Sequence, residues 1–565
     1  MDKLAIGRPL AHRLLRRRRE ILLALGGGAV AVTALGSTVA ATFGRPRARA
    51  GRRGSPRDAG AFADRDASYV SGLGDVNDLG AAGVAATPAA AAAAALKATP
   101  RYPTPLSRDP VLHLLRRASF GPTPQTVADV RQLGIDAWLD RQLDPASVAD
   151  PAGGQVVAAF PTVAMTTAQL RARRSDGGDA MRDLGHATIG RQICSSRQLF
   201  EVMVDFWANH LNVVNPLDGG GDVRGGYDRD VIRAHALGRF TDMLHASARH
   251  PAMLYYLNND ESDRRSVNEN YGRELLELHT VGIDGGYTEV DVRQSAYVMT
   301  GRTIGDNGEF RYEPRRHWVG PVKVLGFSHP NGKGADGLAI GDAYLTYLAT
   351  HPATANSIAR KLAVRFVCDT PPPAFVARLA KQYLASGTAI VPVLRVMFRS
   401  LEFWIASGLK TRRPLENLVA SARLLGVAGA DPDALGTLYE LADRLGQAPL
   451  AWRPPNGYPD VAGAWDSAHV MLGTWNSHRT LVRGVQGVAS TRPEQLVANR
   501  PATTAGYVDA LASRLVFQPL SAGERAALLR FLGAGDGGRP ADATLGGRLP
   551  QLAPLLLDTV YHALR

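Results

Sequence analysis

Glu269, Arg273 and Glu277 recur at four-residue intervals in "NENYGRELLELHTVGIDGGYTEVD", residues 268–291, with Asn268, Asn270, Glu274 and His279 interleaved. On a helix turning about 100° per residue, Glu269, Arg273, Glu277 and Thr280 form one row, and Asn270 and Glu274 the row beside it. Tyr271, Leu275 and Leu278 take the opposite face, with His279 near Leu275 and Gly272. Facing a cleft, Glu274 or Glu277 would act as general base or metal ligand. Arg273 would orient an anionic group, and Asn268, Glu269 and Asn270 would contact substrate. Facing water, the same row is an ion ladder worth about 0.3–0.5 kcal/mol per pair. Gly282 then stops the helix, and Asp284-Gly285-Gly286 makes a turn.

A second stretch, "EVMVDFWANHLNV" at 201–213, carries His210 on the apolar side with Met203, Phe206 and Trp207. Glu201, Asp205 and Asn209 line its other side, where Asn209 would join the substrate contacts. A histidine on an apolar face is ordinarily a hydrogen-bonded core residue. Yet His210 and His279 both point inward from their helices. Packed together, those helices would bring two imidazoles into one pocket. His210, Glu274 and His279 would then suit a divalent transition metal such as Zn, Fe or Mn. Glu277 and His279 point about 160° apart on the wheel, so they cannot grip one ion together. The Glu-x-x-His spacing of helical di-metal sites is absent.

Two further segments carry polar and aromatic groups. "RRHWVGPVKVLGFSHPNGKGADG" holds His317, Trp318 and His329, and reads as a connection or a lid. Its Lys333 lacks the frame of a phosphate-binding loop. "WRPPNGYPDVAGAW" places Trp452, Tyr458 and Trp465 in a Pro-rich loop. Those rings either pin the loop into the core or stack on sugar. The familiar signatures of serine hydrolases, zinc proteases, dinucleotide enzymes and EF-hands do not occur.

The elements that must position these residues are helical. Pro110 begins a run of amphipathic segments, with Thr123 and Pro124 opening one helix and Thr288 with Asp291 forming a capping box. Ser521 with Glu524 is a second capping box. Further helices fall at about 197–213, 229–249, 268–281, 289–301, 338–350, 353–367, 373–386, 391–402, 412–426 and 431–445, with others beyond 466. Residues 308–330 read as a small β-hairpin insertion, and 446–465 as a Pro/aromatic loop. The expected class is mostly α, one multi-helix domain over 110–565.

Ahead of it lie a leader at 1–44 and an Arg/Gly- then Ala-rich linker at 45–109, read as disordered or marginally helical. The formal charge is +13, but residues 1–60 hold 13 Lys/Arg against 3 Asp/Glu and so carry +10 of it. The basicity belongs to the leader, which argues against nucleic acid as a partner. Arg18-Arg19-Glu20-Ile21-Leu22 resembles a twin-arginine export signal, followed by 23 uncharged residues, Ile21 to Phe43. That stretch is either a cleaved signal or an anchor touching the membrane through 21–43. Cys194 and Cys368 exclude thiolate metal clusters, and either form one disulfide or stay apart.

Together "HLLRRASFGPTPQ", "FWANHLNV", "HALGRFTDMLHASARHPAMLYYLNN", the 268–303 stretch, "HPATANSIARKLAVRFV" and "RPPNGYPDVAGAW" resemble the domain of unknown function 1800 family of exported bacterial proteins. The resemblance covers about 108–480. Its motif residues fall on Phe206, Trp207, Asn209, His210, Asn268, Glu269, Asn270, Arg273, Glu274, Glu277, Gly285, Gly286 and Tyr287. Gly457-Tyr458-Pro459 stands where members often carry Gly-Trp-Pro. The resemblance implies an exported helical domain without an assigned reaction. It also implies, as partner, a phosphatase- or sulfatase-like protein of a second family (number 1501) encoded nearby. Two functions follow. One is an envelope enzyme with a Glu/His/Asn/Arg pocket, metal-assisted or not. The other is a non-catalytic envelope protein binding glycan or an exported protein. Approach of His210 to Glu274 would favour the first; full pairing of these groups beneath packed helices, beside exposed apolar residues, the second.

Overall fold

The computed structural model describes residues 85–97, 104–173, 177–484, 493–497, 501–533 and 548–565. Residues 1–44, read as a leader whose stretch 21–43 would touch the membrane if uncleaved, and most of the linker lie outside the described residues. The chain divides into two compact units. The larger comprises 83–499, 511–518 and 550–565, and the smaller includes 500–510 and 519–549.

The class is mostly α. Local chemistry sets many helix starts. Asp109 accepts from Val111 N at 2.8 Å, and Pro110 occupies the first helical position. Thr288 closes the reciprocal capping box expected of it, and Thr123, expected as a simple N-cap, closes one with Thr126. In the smaller unit Ser521 and Glu524 do the same for Ala522–Leu532. The Ala run, expected to be disordered or marginal, forms a helix at Pro88–Lys97 with Ala91, Ala92 and Ala95 buried. Thr87 Oγ1 accepts from Ala90 N at 3.2 Å and the distant Asp136 Oδ1 from Ala89 N at 2.8 Å, so a local and a tertiary cap share the helix start.

The β content is two antiparallel pairs. β1 (Arg302–Ile304) joins β2 (Phe310–Tyr312), and β3 (Val322–Val324) joins β4 (Phe327–His329). The expected hairpin region thus holds one complete hairpin and the second strand of another. Its histidine and tryptophan are pinned. His317 bonds Asn331 Oδ1 and Thr300 O, each at 2.9 Å, and Trp318 stacks on Tyr297 at 4.3 Å.

Four helices of the larger unit build the candidate site: Gln198–His210 (α1), Asn270–Glu274 (α2), Pro352–Phe366 (α3) and Pro414–Leu425 (α4). α2 does not end at Glu274. It runs on as a wide π turn, Leu275–His279. The extra residue in that turn breaks the straight-helix wheel. Thr280, expected beside Glu277, is instead fully buried, with its hydroxyl donating to Leu275 O at 2.6 Å. Cys194 and Cys368 are both free thiols. No described helix is long and apolar enough to cross a membrane.

Candidate functional site

α1 is buried on nearly all sides, so each polar group on it needs a partner. Glu201 takes both Arg233 guanidinium nitrogens, at 2.9 and 2.6 Å. Asp205 accepts from Arg413 at 2.5 Å, and Arg365 lies 3.6 Å away. Asn209 Oδ1 accepts from Tyr458 N at 3.0 Å and its amide donates to Asp205 O, so it holds the Pro/aromatic loop to the helix end. The recess beside Glu201, Asp205 and Asn209 has a volume of about 20 Å³. That is room for about one water molecule, not a substrate.

His210 is 5% exposed and meets His279 as expected, but in a different role. Its Nε2–H donates to His279 O at 3.0 Å, and its Nδ1 accepts from Lys361 Nζ at 2.9 Å. Both ring nitrogens are therefore used, and the ring is fixed as the neutral Nε2–H tautomer. Lys361 also donates to Leu278 O at 3.1 Å. These carbonyls end the π turn and have no partner within it. The accounting there is nearly complete. Leu275 O takes Thr280, Leu276 O takes Gly282 N, Leu278 O takes Lys361, and His279 O takes His210. A cation at this end also suits the helix dipole.

The electrostatics follow from burial in a patch of bases. Burial, then Lys361 and the His279 ring, hold the His210 imidazole well below its usual range. Burial and Lys361 take His279 down to about 3, and burial takes Lys361 down to about 8. The His279 Nε2 is buried without a hydrogen-bond partner among the described residues. Glu274 does not join this group. It is half-buried on the outer side, its carboxyl raised by burial and by Glu277 against the pull of Arg273. The expected His210–Glu274 pairing is thus not made, because Lys361 and a backbone carbonyl occupy both ring nitrogens. Nor do His210, Glu274 and His279 form a metal-holding set. Among the described residues no cluster of three His, Cys, Asp or Glu is placed to do so.

The outer row is a network rather than a straight ladder. Arg273 turns from Glu277 to Glu289, which it grips at 2.8 and 2.7 Å, with Glu269 at 3.7 Å. Glu269 accepts from Arg293 at 3.2 Å, and Glu277 is hydrogen-bonded to Tyr287. Asn268 Oδ1 caps Asn270 N at 2.9 Å, and the Asn270 amide donates to Leu257 O at 3.2 Å. The two asparagines therefore bolt the start of α2 to the preceding loop. Ile283 in the turn after the π segment and Val290 at the start of the next helix, Glu289–Met299, are 71% and 65% exposed.

Sequence reasoning nominated no residue on α3 and not Arg413 at the N-cap of α4, yet these supply cations to α1. Lys361 and Arg365 lie one turn apart on α3 and engage His210 and the Asp205 cluster respectively. Arg365, Arg413 and Arg565 converge on Glu416, Arg413 at 3.1 Å and Arg565 at 2.7 Å. Against the upward push of burial, these arginines hold the Glu416 carboxyl well below its usual range. Lys410 joins Asp369 at 2.7 Å to Asp460 of the aromatic loop at 3.1 Å. The legible signal was the stripe Ile358, Lys361, Arg365 at helical spacing: two cations on a face otherwise apolar.

A family model described as "Protein of unknown function (DUF1800)" matches residues 113–560. No curated protein and no solved structure matches the chain.

Proposed function

The chain belongs to the DUF1800 family, and we propose that this member is a non-catalytic binding or assembly protein of the cell envelope. One observation carries the reading: both nitrogens of His210 are consumed in capping the 275–279 turn, by Lys361 Nζ and His279 O. Most polar groups around it follow the same rule. Asp205, Asn209, Asn268, Asn270, Arg273 and Glu416 each have an internal partner, and their work is to join α1, α2, α3, α4 and the Pro/aromatic loop. Among the groups that face outward, Ile283, Val290 and the half-buried rings at 452–465 are apolar or aromatic. Exposed apolar groups on a rigid frame suit recognition of another surface. Export rests on the twin-arginine-like leader and on the family resemblance. An exported phosphatase- or sulfatase-like protein is one partner consistent with it.

The test compares His210→Gln with Glu274→Gln in protein purified from its exported compartment. The binding reading expects the first to lower thermal stability and the second to leave fold and ligand retention intact. A chemical conversion of envelope material by the wild-type protein that vanishes in folded Glu274→Gln would overturn it.

A further inference from the structure

The Pro/aromatic loop presents a built surface. Trp452, Tyr458 and Trp465 form a continuous row, with ring centres 4.9 and 5.9 Å apart and successive planes tilted by 48° and 44°. All three rings are half-buried. Their polar tips are all hydrogen-bonded. Trp452 Nε1 donates to Asn456 Oδ1 at 2.8 Å, Tyr458 OH to Ala448 O at 2.9 Å, and Trp465 Nε1 to Pro459 O at 2.9 Å. With the tips fixed, the rings cannot swing, and what they offer to solvent is carbon surface.

The frame beneath is stiff. Asn209 holds Tyr458 N, Asn212 donates to Trp452 O and Pro454 O at 2.9 and 2.8 Å, and Lys410 and Arg365 hold Asp460. Polar groups at the rim are unspent. Asp466, next to Trp465 in the chain, is half-buried with its carboxyl raised by burial. It has no hydrogen-bond or ion-pair partner among the described residues. Arg453 is exposed and its guanidinium likewise has no partner among them. The Asn456 amide nitrogen is also left over beside Trp452.

We infer that this row is a binding site for a neutral hexose polysaccharide chain. The inference rests on the binding reading above and names its ligand. Pyranose rings carry one face of C–H groups, which pack on aromatic carbon, and an edge of hydroxyls, which donate and accept. The row supplies the first surface. Asp466 supplies an acceptor, and Arg453 and Asn456 supply donors. A protein hot spot also uses Trp, Tyr and Arg. The mixed free donors and acceptor at the rim favour the many hydroxyls of a sugar.

The experiment titrates the full chain with cellohexaose and chitohexaose, read by tryptophan emission and by calorimetry. Binding to at least one with a Kd below about 1 mM is expected. Trp465→Ala should weaken it at least about tenfold. Asp466→Asn should weaken it by about tenfold through loss of a charge-assisted hydrogen bond, with the melting temperature unchanged. Because Asp466 has no partner among the described residues, its variant stays informative even if Trp465→Ala misfolds. Absence of binding to both oligosaccharides, or unchanged affinity in a folded Asp466→Asn variant, overturns the inference. Retention of an exported protein through these rings without sugar binding overturns it too, while leaving the broader binding reading standing. Loss of a chemical conversion in folded Glu274→Gln would instead strike that broader reading.

Discussion

Lys361 Nζ donates to His210 Nδ1 at 2.9 Å and to Leu278 O at 3.1 Å, so one ammonium joins α1 and α3 to the end of the 275–279 turn. The imidazole completes the arrangement by capping His279 O. A histidine placed to suggest metal or acid–base chemistry is thereby a structural connector.

Removing the connector should cost stability. His210→Ala leaves the Lys361 ammonium without its acceptor and the His279 carbonyl without its donor, and opens a cavity beside Trp207 and Phe240. A loss of about 3–5 kcal/mol is expected in denaturant unfolding. A variant within about 1 kcal/mol of wild type would show that the pairing contributes little.

Glu274→Gln should behave in the opposite way. The carboxyl is half-buried, and burial together with Glu277 disfavours its charged form. Neutralising it removes that penalty, so stability at pH 7 should stay within about 0.5 kcal/mol of wild type or rise slightly. A clear drop in melting temperature would reveal a partner that the geometry does not provide.

The ion cluster around Glu416 should be intolerant of losing its centre. Glu416→Gln keeps the shape but leaves Arg365, Arg413 and Arg565 facing an uncharged amide in a buried site. The expected cost is about 3–5 kcal/mol. Chemical denaturation of the variant, compared with the exposed-pair variant Glu440→Gln, makes the check.

Acid should unfold the protein earlier than its carboxylates alone would. Burial takes His113 and His279 to about 3 and His250 to about 4, and holds His210 and His562 well below their usual range. Above pH 6.5 these groups are neutral in both states, and their contribution is complete. Below it the unfolded chain takes up protons that the folded chain cannot, so stability falls until the folded pKa values are reached. Each histidine gives a slope of up to about 1.4 kcal/mol per pH unit. Five together would exhaust a typical stability within one to two units. A folding midpoint that stays level between pH 7 and pH 5 would contradict this.

The aromatic loop should detach when its one close backbone approach is blocked. Gly457 has φ +68°, and a Cβ there would lie 2.1 Å from Asn209 O. Gly457→Ala should therefore push the loop from the end of α1 and speed chymotryptic cleavage after Trp452 and Trp465. Cleavage at the wild-type rate would mean that the loop is held without this approach.

What could be read from the chain was local. Asp109, Thr123, Thr288 and Ser521 announce helix starts because a cap is made within three residues, and apolar periodicity marks the faces. The burial of His210 and its meeting with His279 were legible for the same reason, since both lie on apolar faces. The straight wheel failed at Thr280 because a π turn adds a residue that no short-range signal declares.

Which polar groups would pair was decided elsewhere. Lys361 meets His210 across 151 residues, and Arg413 meets Asp205 across 208. Residue type establishes only that a buried charge needs a partner. The partner's identity depends on which helices pack together, and that is a property of the whole core. The sequence by itself therefore determined a helical protein whose polar motif groups had to be satisfied. Only the tertiary structure decided that lysine and arginine from α3 and α4 would satisfy them, closing the interior and leaving the aromatic loop at the surface.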